Sequence, residues 1–146
     1  IPAPYDFSAL DQGLENLRQE RGAAEFERQL FLWANEVEDL ENDEGYSGCP
    51  DDFYLGLRRR DGIESYIARA SPGLGSKLNA AAEPLDERFR SATRPTTDRP
   101  DSEMPYEWQG APPYPNFPGW WWSRSPTKID RRSPRERNRD RNKRRA

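Results

Sequence analysis

From Arg94 to Ala146 the chain contains one isoleucine, no leucine and no valine. In the same stretch prolines stand at 95, 100, 105, 112, 113, 115, 118, 126 and 134. Each removes a backbone donor and fixes φ, which forbids long helices and central strands. A hydrophobic core therefore has to come from residues 1–93, a length sufficient for one small core. Three parts are expected: an acidic helical domain at 1–93, a proline- and aromatic-rich segment at 94–126, and a disordered basic tail at 127–146.

The first part is written in helical periods. Ser8 with Asp11 reads as a helix start, followed by Leu10, Leu14 and Leu17 on one face. Phe26, Leu30, Trp33, Val37 and Leu40 step by four and three among glutamates, which predicts an amphipathic helix over about 23–42 with an acidic outer face. Acids crowd its C-terminal end, where the helix dipole disfavours them, so a basic partner or fraying is expected there. After a glycine-containing loop, Asp51 or Asp52 can cap a helix that turns Phe53, Leu57, Ile63, Tyr66, Ile67 and Ala70 inward, with Asp61-Gly62 a potential break. Ser71-Pro72-Gly73 ends it. Leu74, Leu78, Ala81, Leu85 and Phe89 mark a last helix, with a kink or restart expected at Pro84. The expected fold is all-α: a small antiparallel bundle of four to five helices, then an extended segment and a disordered tail.

Charge is distributed just as unevenly. Residues 1–57 carry 14 acids and 3 bases, 58–110 balance, and 111–146 carry 3 acids and 11 bases. Such a split points to an acidic surface and a basic tail with separate tasks, or to two parts that attract each other. One cysteine and no histidine leave no intramolecular disulfide, no cysteine-ligated zinc site and no common general base. No apolar run reaches membrane-spanning length and no signal-peptide pattern opens the chain, so a cytoplasmic location is expected, although Ile1 in place of Met leaves room for an upstream segment.

Motifs that could carry chemistry fail on context. An EF-hand register begun at Asp39 places Glu44 where glycine is required and Pro50 where the bidentate glutamate belongs. Gly73-Leu-Gly75-Ser-Lys77 lacks the spacing and the preceding strand of a phosphate loop. Cys49 has no histidine to activate it, and Ser125-Pro-Thr-Lys128 lies at the edge of the tail. No catalytic residue, cofactor or metal is expected. Pro112-Pro-Tyr-Pro115 and Pro115-Asn-Phe-Pro118 satisfy P-x-x-P. Trp120-Trp121-Trp122, exposed together, would form a large apolar patch, so docking on the protein's own helices is favoured.

Leu85-Asp-Glu-Arg-Phe-Arg-Ser-Ala-Thr-Arg-Pro95 followed by Trp120-Trp-Trp-Ser-Arg124, with Asp61-Gly-Ile-Glu64 upstream, resembles small uncharacterised helical proteins of actinobacteria. The resemblance implies a bacterial, helical, cytoplasmic protein and carries no activity. Charge then suggests the function. The first expectation is a non-enzymatic interaction protein whose acidic face, Glu36, Glu38, Asp39, Glu41, Asp43 and Glu44, binds a basic protein partner. An immunity or antitoxin-type protein is one concrete form. The alternative is nucleic-acid association through Arg131, Arg132, Arg135, Arg137, Arg139, Arg141, Lys143, Arg144 and Arg145.

Overall fold

The computed structural model describes residues 23–109 and 117–145. The helix expected around Leu10–Leu17 and the Pro112–Pro115 motif lie outside the described residues. Helix α1 spans Ala23–Leu40, α2 Pro50–Arg69 and α3 Pro72–Ala92. All five periodic positions of α1, from Phe26 to Leu40, are buried. This is what a stripe at spacings of three and four requires.

Helix α2 starts on a carboxylate cap: the Cys49 N–H donates to Asp52 Oδ2 at 3.0 Å, and Pro50 occupies the first turn, where its missing N–H costs nothing. It runs through Asp61-Gly62 without a break. Likewise α3 passes Pro84 without restarting. Pro84 and Ala80, whose carbonyl loses its helical donor, both lie on the exposed side, where water can serve that carbonyl. On the opposite side Leu78, Ala81, Ala82, Leu85 and Phe89 are buried and hold the helix to its neighbours.

The three helices pack on one another. Gly56 meets Glu36 and Gly62 meets Gln29, so α2 runs antiparallel to α1. Arg60 bonds Asp86 and Phe53 stacks on Phe89, so α3 runs antiparallel to α2. The fold is thus mostly helical with one small sheet, in which β1 (Thr93–Pro95) pairs antiparallel with β2 (Arg124–Pro126), Thr93 opposite Pro126. Between these strands, short 3-10 turns begin immediately after Pro95, Pro100 and Pro105. Each proline presets the φ that a tight turn needs.

The core extends past residue 93. Trp108, Trp121, Trp122 and Ile129 belong to the same buried cluster as the helical side chains, and Trp120 packs edge-on against Phe89. Asp61 Oδ1 accepts both Trp121 Nε1 at 2.9 Å and Trp122 Nε1 at 2.8 Å. The indoles thus bury their rings with their polar edge satisfied. The expectation of a disordered tail is corrected over 127–145. Ile129 forms a parallel bridge with Tyr46, and α4 spans Pro134–Arg145. No residue of α4 is buried. Its start is capped instead: Ser133 Oγ accepts the Glu136 N–H at 3.1 Å. Pro134 stands at the first helical position, and Lys143, Arg144 and Arg145 fill the last turn, where the dipole favours cations.

Candidate functional site: the acidic corner and the basic arm

The six acids expected to form one outward face have different fates. Glu36 is corrected from surface to interior: it is 9 % exposed, pressed against Gly56, where a Cβ would lie 2.2 Å from the Glu36 carboxyl carbon. Burial, reinforced by the Asp39 charge and then by Asp52, pushes its carboxyl up to about 8, against a lowering hydrogen bond with the Tyr46 hydroxyl. Burial and the neighbouring Glu36 in turn raise the Tyr46 hydroxyl above its ordinary value. Glu38 is half-buried, while Asp39, Glu41 and Asp43 are exposed. Desolvation, then the Glu38 charge, raises Asp39. Glu41 accepts Arg88 Nε of α3 at 3.0 Å, so a cation of the same chain compensates the acidic end of α1.

The loop after α1 is shaped around the C-terminal segment. Gly45 has φ +99°, and a Cβ there would stand 2.8 Å from the Asp130 nitrogen. Only glycine combines that backbone with that approach. The Tyr46 N–H donates to the Lys128 carbonyl at 2.9 Å and the Asp130 N–H to the Tyr46 carbonyl at 2.8 Å. Lys128 Nζ reaches the Asp43 carbonyl. Glu44 receives two guanidiniums, Arg132 through one carboxylate oxygen and Arg144 through the other.

Arg132 organises the arm. It bonds Asp130 at 2.9 and 3.0 Å, Asp140 at 2.8 Å, and Glu44. These hydrogen bonds, from Asp130 first and Asp140 second, raise its pKa, while the Arg132 side chain holds Asp130 below the usual carboxylate range. Arg131 donates to the Glu103 carbonyl, and Arg137 to the Arg132 carbonyl at 2.6 Å. Among the described residues Arg139 pairs with its neighbour Asp140, at 3.9 Å. Among the described residues Arg135, Arg141, Lys143 and Arg145 form no ion pair. Arg135, Arg139 and Lys143 recur at intervals of four, which places them on one stripe of α4.

A second constellation escaped the sequence reading. Arg60 grips Asp86 through Nε at 2.8 Å and Nη2 at 2.9 Å. Trp33 Nε1 adds a third bond to Asp86 at 3.1 Å, and the Arg60 guanidinium lies 4.4 Å over the Trp121 ring. Both partners are buried. Removing either would strand a charge, at a cost of about 3–5 kcal/mol. A signal existed: Arg60 follows Leu57 by three and precedes Ile63 by three, so it falls on the inward stripe of α2. Beside this pair a groove of about 630 Å³ is lined by Glu64, Glu83, Arg90 and Trp120. Among the described residues no three His, Cys, Asp or Glu side chains are grouped to hold a metal ion, and no helix is long and apolar enough to cross a membrane.

No protein-family model, curated protein or solved structure matches the chain.

Proposed function

We propose that this chain is a non-enzymatic nucleic-acid-associated protein that engages phosphates through α4. One observation carries the reading: a capped helix stands on the surface with no apolar face, displaying Arg135, Arg139 and Lys143 as a stripe without an acid in it. A helix of this kind has nothing to bury, and its outward chemistry is that of a phosphate-neutralising surface. The acidic bulk of the chain does not cancel it, because at physiological salt charges beyond about 8 Å are screened. The acids nearest the stripe are Glu136 and Asp140 of α4 itself and Glu44, which pairs with Arg132 and Arg144. The reading with a basic protein partner loses support by the same geometry, since Glu36 is interior and Glu41 and Glu44 already hold cations of this chain.

The test is a salt titration of binding to a labelled duplex and to a single strand, read by fluorescence anisotropy. The wild type should bind without sequence preference. In a variant carrying Arg135→Gln, Arg139→Gln and Lys143→Gln, the slope of log affinity against log salt should fall by up to about 3, near 0.9 per lost phosphate contact on duplex. Equal slopes for the two proteins would reject α4 as the binding element.

A further inference from the structure

Among the described residues, one carboxylate of the helical body forms ion pairs with the arm. Asp130 and Asp140, which bond Arg132, belong to the arm itself, and Arg137 turns back onto the arm's own backbone. Glu44, in the loop after α1, reaches the arm from outside, taking Arg132 at the foot of α4 and Arg144 in its last turn. The loop is fixed for this purpose on both sides: Gly45 adopts the positive φ that lets residues 129–130 approach, and the Tyr46–Ile129 bridge sets the register. Glu44 itself is positioned by its own N–H, which donates to Asn42 Oδ1 at 3.0 Å.

We propose that Glu44 is an intramolecular competitor for phosphate, a latch that keeps Arg144 out of use until nucleic acid displaces it, while Arg132 stays held by Asp130 and Asp140; this rests on the nucleic-acid reading of α4. A carboxylate and a phosphate oxygen present the same kind of acceptor to a guanidinium. A tethered acceptor acts at an effective concentration on the order of millimolar, so a ligand must outcompete it for each cation. Releasing a cation from an exposed pair of this type changes affinity by about fivefold at most. The latch therefore lowers affinity without abolishing it, while Arg135 and Lys143, with Arg139 between them held by Asp140 at 3.9 Å, make first contact. Binding then proceeds in two stages, with the stripe engaging first and Arg144 exchanging the Glu44 carboxylate for phosphate afterwards. The anionic corner left behind, with Glu44, Asp43 and Glu41, repels the bound strand and favours release.

The experiment compares wild-type protein with Glu44→Gln and with Glu41→Gln, which removes the same charge from the same loop but contacts Arg88 rather than the arm. Affinity for a single-stranded RNA dodecamer, its DNA counterpart and a DNA duplex is measured by anisotropy from low to moderate salt, with amide hydrogen exchange of α4 in the free proteins. Glu44→Gln should bind about two- to fivefold tighter than wild type, the range that one exposed pair supplies. Its salt slope should steepen by up to about 1 on duplex, one phosphate contact, and the α4 amides should exchange faster. Glu41→Gln should gain no more than the general field effect, about twofold or less at moderate salt. If the two variants gain equally, the latch is overturned and the nucleic-acid reading stands. The latch is likewise overturned if Glu44→Gln loosens α4 without tightening binding. If no protein binds any probe even at low salt, both are overturned together.

Discussion

Glu36 is where a single side chain departs furthest from what its residue type suggests. A glutamate amid an acidic helix reads as solvated, yet this one sits where Gly56 leaves room for a carboxyl and nothing more, with Asp39 on its own helix, Asp52 on α2 and the Tyr46 hydroxyl around it. Its folded value near 8 lies above the ordinary 4.5. The folded state therefore keeps a proton that the unfolded state releases between those two values. The stability this contributes is complete below about 4.5, declines as the pH climbs, and is gone above about 8, a span on the order of 4–5 kcal/mol at most. Asp39, also raised, acts in the same sense. Urea unfolding at pH 5, 6.5 and 8 should show falling stability in the wild type. Glu36→Gln, neutral at every pH and able to keep an acceptor toward Tyr46, should flatten most of that decline and exceed the wild type at pH 8. Parallel pH profiles for the two proteins would mean that Glu36 is charged in the folded state.

At the level of elements, the contrast between α1 and α4 separates what the sequence can express from what it cannot. Helix α1 is held by burial, and burial leaves a periodic record: Phe26, Leu30, Trp33, Val37 and Leu40 were readable because each must face the same way. Helix α4 is held by a cap, a dipole and a few ion pairs, none of which writes an apolar stripe. Ser133-Pro134-Arg135-Glu136 does contain the serine and glutamate spacing of a capping box with proline at the first helical position, a start signal that a hydrophobicity reading passes over. The pairs that fix α4 could not be read at all. Glu44 finds Arg132 across 88 positions, and Asp61 meets Trp122 across 61. Local pattern carries no information about such meetings. Because a helix of a dozen residues is marginal on its own in water, α4 should depend heavily on its cap. Ser133→Ala should cost about 1 kcal/mol of local stability, visible as faster exchange of the 135–145 amides with an unchanged global melting temperature. A lowered melting temperature would show instead that α4 is coupled to the core.

Across the whole molecule, the segment poor in aliphatic residues completes the fold that it cannot form alone. Its tryptophans replace the missing leucines, since each buried indole removes about 150–250 Å² from water. Ile129, the one isoleucine after residue 93, is spent inside the core rather than on the surface. The same path carries the basic residues of the C-terminal end back to the acidic loop after α1, so the charge asymmetry of the sequence becomes an intramolecular contact. Fold and candidate function can then be cut apart at a defined place. A chain ending at Ser133 retains Trp108, Trp121, Trp122 and Ile129 and loses only the helix that buries nothing. It should unfold cooperatively within a few degrees of the full-length protein while losing most of its affinity for nucleic acid. A chain ending at Ala111 loses Trp121, Trp122 and Ile129 together. At about 25 cal/mol per Å² the two indoles alone represent about 7–12 kcal/mol as an upper bound, comparable with the whole stability of a domain, about 5–15 kcal/mol. That shorter chain should lack a cooperative thermal transition. If it melted like the full-length protein, the tryptophans would be ornaments on a self-sufficient helical core. If the chain ending at Ser133 also lost its transition, α4 would have to be counted among the elements that hold the molecule together.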